Sequence, residues 1–453
     1  MFQRVAIIGG GAAAATLLSE LLGRRPPRML HLDWYTGGGA LGRGVAYGTR
    51  SPRHLLNVRA ASMSMFAGKP RGFLDFVQRD DPSIAGTDFL PRFRYGDYLE
   101  AEVAHALQQG ALHGHDVHVI PLAVDALVPE RDKVTVICGE RARGAGAAVL
   151  ALGALPPQPL GGVSADALAS ERYVVDPWPL LAGAGADPAP RKVVLIGLGL
   201  TAVDVLLELS AQWPRAEFTA ISHHGRLPEA HPNTAAAPYG DNAALVESMR
   251  EAPDIRRWLS LVREAARQGA DWRTVVDSLR PHTPGLWNEL PLPQRARFMR
   301  HLRWAWERAR HRMSPAVCRT IAALEQTGRL QRRRGHVQAV DLAGDALQLT
   351  LTRAGALQTM RADLVIQATG LNLDVNRTDH PLMRQLVTNA HVTPDPLGLG
   401  VQADGDGRLR HDDQHWPNLF AIGSLLRGSR WESIAMPEIS QQARALADRL
   451  LAD

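Results

Sequence analysis

Two stretches of the chain repeat one pattern: a short unbroken apolar run, a turn of small residues, then an apolar segment at helical spacing. Val5 to Ile8 runs into Gly9-Gly10-Gly11-Ala12-Ala13-Ala14, and Val193 to Ile196 runs into Gly197-Leu198-Gly199-Leu200-Thr201-Ala202. Unbroken apolar runs mark buried parallel strands, and helical spacing after a glycine turn marks a helix packed on the strand it follows. Each half goes on with β-rich segments. Val117 to Ile120 and Lys133 to Cys138 precede the apolar run Ala148-Val149-Leu150, which ends in Ala151-Leu152-Gly153-Ala154. In the second half the alternating pair Val337 to Leu342 and Leu347 to Leu351 precedes Leu364-Val365-Ile366-Gln367, which ends in Ala368-Thr369-Gly370. Alternation at period two predicts half-exposed hairpin strands, so one architecture is used twice.

The expected fold is α/β, with two Rossmann-like dinucleotide-binding domains and a helical insertion in the second. Residues 1–175 and 371–453 are assigned to the first domain and 190–370 to the second. The Pro/Gly/Ala-rich stretch Leu181 to Pro190 reads as the linker. Between about 243 and 328 the pattern turns helical, with Phe298, Leu302 and Trp306 at helical spacing within Leu292 to Arg312. Ser314-Pro315 reads as an N-cap followed by proline at the first helical position, and Gly328 as the stop. Trp287, Trp304 and Trp306 are expected in the core of this block.

A strand running into a glycine turn and a helix is the setting a pyrophosphate needs. Glycines let the backbone approach the anion, and the free NH groups of the helix N-terminus point at it. Gly9, Gly11 and Ala14 form the first candidate site; Gly197, Gly199 and Ala202 form the second. At the end of the second half's next strand stand Ser222, His223, His224 and Arg226. With no acid there to accept from a ribose 2′-OH, a 2′-phosphate and hence NADPH is favoured over NADH.

Composition narrows the field. The chain has 453 residues, enough for two or three domains, and a formal net charge of +5. Its positive charge is nearly all arginine and scattered; Arg332-Arg333-Arg334 is too short a run for a nucleic-acid surface, so no nucleic-acid partner is expected. The long apolar stretches Val5 to Leu22 and Val193 to Leu209 contain the glycine turns and the charged residues Glu20, Asp204 and Glu208. They read as strand-turn-helix units, so no membrane association is expected. The first residues enter a strand at once, and a cytoplasmic location is expected; a homo-oligomer is left open. Cys138 and Cys318 are the only cysteines, which disfavours a disulfide framework and a Cys-x-x-Cys redox pair.

Several further segments resemble a family of FAD/NAD(P)-binding proteins that includes bacterial amino-acid N-hydroxylating flavin monooxygenases of the aspartate N-monooxygenase type. They are Leu41-Gly42-Arg43-Gly44-Val45-Ala46-Tyr47-Gly48, His54-Leu55-Leu56-Asn57-Val58 with Met63-Ser64, and Pro91-Arg92 with Tyr95-Gly96-Asp97-Tyr98-Leu99. Asp176-Pro177-Trp178, Ser222 to Gly225 with Pro228 and His231, Trp287 with Leu290, and Arg310-His311-Arg312 are similar to it too. So are Asn418-Leu419-Phe420-Ala421-Ile422-Gly423, Gly428, Trp431-Glu432 and Pro437-Glu438 near the C-terminus. The resemblance covers almost the whole chain and is more specific for fold and FAD than for substrate.

It implies that the first and last segments build the FAD site and the middle one the NADPH site. Asp33 on the second strand is then a candidate ribose ligand or a strand-edge residue, with Thr36 nearer the typical place. Arg43 is a candidate for the FAD phosphates or a surface arginine, and backbone NH groups at Gly423-Ser424 stand where related proteins carry an aspartate. His54 and Asn57 are candidates for the flavin environment or for satisfying loop backbone. Arg430 is a candidate for a substrate carboxylate or, again, a surface residue. The implied activity is an oxidoreductase in which NADPH reduces FAD, the reduced flavin activates molecular oxygen, and a small amine or amino acid is N-hydroxylated. An NAD(P)H oxidase or reductase passing electrons to O2, a quinone or a protein partner, and a flavin-bound interaction protein, are the alternatives.

Overall fold

The computed structural model of the chain describes residues 2–25, 29–183, 189–233 and 237–452. Two parallel sheets dominate it. The first has the strand order Arg408–His411, Gln414–Ala421, Ala147–Leu150, Arg4–Ile8, His31–Tyr35, Asp116–Ile120, parallel throughout except for the edge pair Arg408–His411 and Gln414–Ala421. The second is parallel throughout, in the order Leu330–Arg334, Glu217–Ser222, Lys192–Ile196, Leu364–Gln367, Tyr173–Val174.

The unbroken apolar runs follow from burial on both sheet faces. Val5 and Ile7 pack beneath the helices Ala12–Leu22, Arg92–Leu112 and Met436–Ala452, while Ala6 and Ile8 pack on the opposite side against Leu127, Val136 and Leu382. In the second sheet Val193 and Leu195 face the helices Leu200–Gln212 and Pro315–Gln326; Val194 and Ile196 face the antiparallel strands His336–Ala343 and Ala346–Arg353. Each closing strand, Ala147–Leu150 or Leu364–Gln367, is preceded by a three-stranded antiparallel meander. The repeat seen in the sequence is therefore a repeat of topology.

Four expectations are adjusted by these contacts. Asp116–Ile120 is the parallel edge strand of the first sheet, and the hairpin partners of Val134–Cys138 are Ala126–Pro129 and Arg141–Ala145. Tyr173–Val174 pairs with Leu364–Gln367, so the chain enters the second sheet before residue 175. The helix Pro315–Gln326 begins at Ser314, whose hydroxyl accepts from Val317 N at 3.3 Å, and stops before Gly328 at φ +73°. That helix packs on Leu200–Gln212 as the ordinary crossover between parallel strands, so the insertion proper ends near Arg312. The helical segment through Phe298, Leu302 and Trp306 is two helices, Leu292–His301 and Arg303–Arg310, turning at Leu302. Of the expected linker Leu181 to Pro190, residues 184–188 lie outside the described residues.

Candidate functional site

The two glycine turns are built alike. Gly9 (φ +127°) donates its NH to Tyr35 O at 2.9 Å, and Gly197 (φ +123°) to Ile221 O at 2.8 Å. A Cβ at Gly9 would stand 2.3 Å from Ala151 O, and one at Gly197 2.2 Å from Ala368 O. Each first glycine thus lets the closing strand pass. The glycines at the third position, Gly11 and Gly199, differ from these. A Cβ at Gly11 would meet nothing nearer than Gly44 Cα at 3.7 Å, and one at Gly199 nothing within 4 Å. Both are helix N-caps without a side-chain cap; the Cβ position is open at Gly199 and in ordinary contact with Gly44 at Gly11, and among the described residues the first amides of both helices have no side-chain partner, so an approaching pyrophosphate fits there. Ala14 and Ala202 are fully buried, placing them in helix-to-sheet packing rather than against a ligand.

Three assignments around the first turn are corrected. Asp33 is 1% exposed and held by Arg4 at 3.0 Å, Arg143 at 3.0 Å and His118 at 3.3 Å; its oxygens are committed within the sheet, on a strand flanked on both sides, and leave none for a ribose. Arg43 is likewise buried. Its Nε and Nη2 donate to Glu100 at 2.6 Å each, Nη2 also reaches Asp97, and Nη1 donates to Phe93 O at 3.2 Å. It is a strut on the Arg92–Leu112 helix, and the space it fills is why residue 96 is glycine. Gly423 (φ +80°) rests 3.4 Å from Ala13 Cβ by its own virtual Cβ, which brings the C-terminal segment onto the first turn. Its NH is taken by Gln442 Oε1 at 3.1 Å and so is not free for a flavin.

A cleft of about 550 Å³ lies between the units. Its first-unit wall includes Tyr47, Asn57, Met63 and Arg92; its second-unit wall includes Gly197, Gly199, Ser222, His223, His224 and Arg226. The turn after Glu217–Ser222 therefore reaches the same space as the open glycine turn. Burial, with His336 beside His223 and with His223 and nearby arginines beside His224, holds both imidazoles below their ordinary range, so near neutral pH the positive charge here is carried by guanidinium groups. The helical insertion closes the cleft with Arg280, Arg303, Trp304, Glu307 and Arg310, and Arg427 enters from the C-terminal segment. Burial pushes the Glu307 carboxyl up, but the hydrogen bond from His311 at 3.1 Å, and the charges of Arg427 and Arg303, hold it well below the usual range. One carboxylate shared among three basic side chains leaves this end of the cleft electropositive. Arg280 pairs with Glu438 at 2.5 Å, and Arg310 stands 3.7 Å from the buried Glu432.

Of the three residues expected at the reaction centre, only Asn57 lines the cleft. His54 is 1% exposed. Its Nδ1 meets Thr49 Oγ1 at 2.7 Å and its Nε2 donates to Asp204 O at 3.2 Å, so both ring nitrogens are engaged between the units. Beside it Arg92 pairs with Asp204 at 2.8 Å and Arg53 with Glu208 at 3.4 Å. Arg430 points away: its guanidinium donates to Gly405 O and lines a separate small cavity with Gly407 and Gln442. The arginines that do face the cleft were missed. The signal was present in Arg303, Glu307 and Arg310, which recur at helical spacing on one face while Ala305, Trp306 and Ala309 turn to an apolar interior.

Two open glycine turns at the ends of two parallel sheets, with the second turn in a cleft walled by both units, define the two-dinucleotide-binding α/β architecture. Residues 6–155, within the N-terminal unit, match the sequence family described as FAD-NAD(P)-binding. Comparison with curated proteins yields no match. Among solved structures, the ornithine N-hydroxylase of Kutzneria sp. 744 is similar over 99% of this chain and 98% of its own, at 17% identity and TM-score 0.65. The L-lysine 6-monooxygenase of Pseudomonas syringae matches over 100% and 99%, at 16% identity and TM-score 0.64. The bacillithiol disulfide reductase of Bacillus cereus matches over 99% and 99%, at 15% identity and TM-score 0.54. At these identities the likeness is one of fold. Among the described residues no helix is long and apolar enough to cross a membrane, and no His, Cys, Asp or Glu cluster suits a metal ion.

Proposed function

We propose that the protein is an NADPH-dependent FAD monooxygenase that N-hydroxylates a small amine or amino acid. The observation that carries this reading is the shared cleft, lined together by the open second turn, an arginine-rich wall and residues of the unit that matches the FAD-NAD(P)-binding family. The full-length likeness to the ornithine and lysine hydroxylases supports it. FAD fits the turn at Gly9 to Gly11, and NADPH the turn at Gly197 to Gly199. When bound, the flavin supplies the hydride acceptance and oxygen activation that side chains lack. The balance is RNH2 + O2 + NADPH + H+ giving RNHOH + NADP+ + H2O.

The chain's own residues bind and orient. Arg303 and Arg310 take an anionic group of the substrate, a carboxylate for an amino acid, in the role first assigned to Arg430. Their positive field also disfavours the ammonium form of a nearby amine, leaving the lone pair that attack on oxygen requires. The insertion excludes water from that end.

The test is mass spectrometry of amines and amino acids incubated with the protein, NADPH and O2, reading the gain of one oxygen atom. Chromatography of the released flavin should show FAD and no FMN. Release of H2O2 at a rate no amine alters would favour the oxidase reading, and failure of either nicotinamide cofactor to reduce the flavin would favour the flavin-bound interaction protein. Dithiol-disulfide chemistry gains no support here, because neither Cys138 nor Cys318 lines the cleft.

A further inference from the structure

We propose that two residues outside the second glycine turn select the phosphorylated nucleotide: Arg334, on the neighbouring strand, and Trp304, from the helical insertion. The inference rests on the nicotinamide-nucleotide reading of the second turn and adds to it the residues that read the adenosine end.

Arg334 is brought there by strand register. Ser222, at the end of its strand, lies opposite Arg334 at the end of Leu330–Arg334, and Gly335 NH donates to Ser222 O at 3.0 Å. The turn that follows sits on the same spot. Gly225 (φ +62°) passes so close that a Cβ there would stand 3.1 Å from Arg334 N. The basic run is thereby resolved into unlike residues. Arg332 pairs with Glu325, and Arg333 donates to Gln331 at 3.4 Å, whereas Arg334 and Arg226 are exposed and, among the described residues, have no carboxylate partner. Both charges bear on His224. A dianionic phosphate placed between two exposed guanidinium groups would satisfy charges that the protein leaves uncompensated.

Trp304 supplies the flat surface. Its ring stacks on His224 with centroids 3.9 Å apart and planes 20° apart, and Arg308 lies 5.8 Å from its centroid. Trp304 and His224 both line the cleft. A purine entering here stacks on Trp304 by taking the place of the imidazole or by extending the stack. Because Trp304 stands on the same helix as Arg303 and Arg310, the nucleotide contact and the anion-binding wall share one rigid element.

The test uses flavin-loaded protein and two probes that lack the nicotinamide half, adenosine 2′,5′-bisphosphate and 5′-AMP, titrated by calorimetry. Wild type is expected to bind the bisphosphate at least tenfold more tightly. Arg334→Gln should remove about a tenfold share of that preference without changing 5′-AMP, the size expected for one charge-assisted contact. Arg332→Gln should leave both unchanged. Trp304→Leu should weaken the two probes by a similar factor. The proposal is overturned if Arg334→Gln binds the bisphosphate as wild type does, if Arg332→Gln lowers it equally, or if Trp304→Leu changes neither probe. Flavin reduction by NADPH in the wild type separates the two levels: normal reduction beside any of those results removes only these two residues, while absent reduction and absent binding of both probes remove the nucleotide reading itself.

Discussion

The paired glycine turns allow protein packing and ligand approach to be separated by four alanine substitutions. Gly9→Ala and Gly197→Ala place a methyl at φ +127° and +123°, where L-residues are strained, and 2.3 and 2.2 Å from a backbone carbonyl oxygen. The dihedral costs ~1–2 kcal/mol, and forcing the closing strand aside adds ~1–3 kcal/mol. A loss of roughly 3 kcal/mol or more is therefore expected, a large share of a domain's stability. Gly11→Ala and Gly199→Ala should behave otherwise. Gly11 has φ −90° and ψ −173°, Gly199 φ −79° and ψ −172°, both open to alanine, and the added methyl meets nothing within 3.7 Å at either site. The lost N-cap preference and the gain from a stiffer unfolded chain nearly offset, leaving ~0.5 kcal/mol or less.

What the second pair should lose is the ligand. The methyl occupies the space through which a pyrophosphate approaches the backbone. Gly11→Ala should bleach the protein, Gly11→Asp more completely, while Gly199→Ala should stay yellow yet bind NADP+ at least tenfold more weakly. Urea unfolding of cofactor-stripped protein, flavin absorbance and nucleotide titration read the three quantities. Refutation takes either form: Gly199→Ala as destabilised as Gly197→Ala, or Gly11→Ala with full flavin occupancy.

Three other outcomes are expected. Arg303→Met and Arg310→Met should each raise the KM of a carboxylate-bearing substrate by about one to two orders of magnitude, with flavin content unchanged, whereas Arg430→Met should leave KM within twofold; steady-state kinetics under NADPH decides between them. Arg92→Met strands the buried Asp204 and should cost ~3–5 kcal/mol in urea unfolding, most of it recovered when Asp204→Asn is added. Burial lowers His231 to about 4 where its Nε2 donates to Asn57 O at 3.0 Å across the units. Because the folded state then binds fewer protons than the unfolded one, its contribution is complete above about 6.5 and is lost as pH falls from there towards 4; the ceiling is ~3 kcal/mol, and partial exposure reduces the expected loss to about 1 kcal/mol. Thermal unfolding of wild type and His231→Asn between pH 7 and 4 should differ in slope over that window.

The parts of this molecule legible in its sequence are those fixed by local pattern. Period two, period 3.6 and two glycine turns specify strand-turn-helix units without reference to anything distant, and the same pattern placed Ser222 to Arg226 at the mouth of the second sheet. Charged side chains carry no such signature. Asp33 and Arg43 have the residue types a dinucleotide site uses, yet their partners, Arg4 and Arg143 for one and Asp97 and Glu100 for the other, are supplied by tertiary folding. Pairing consumes a charge that sequence position alone would have offered to a ligand.

The same reasoning accounts for the exchange of Arg430 for Arg303 and Arg310. All three are arginines near aromatic residues, and residue type alone does not distinguish them. What separates them is which face of the Arg303–Arg310 helix meets the cleft, and that is fixed by its apolar side: Ala305, Trp306 and Ala309 bury inward, so Arg303, Glu307 and Arg310 must turn outward across from the C-terminal segment. The apolar pattern of the insertion, read for its opposite face, is therefore the feature that locates the anion-binding wall. Arg334 extends the rule from helices to strands, since its place beside Ser222 follows from parallel register and from no property of the basic run in which it stands.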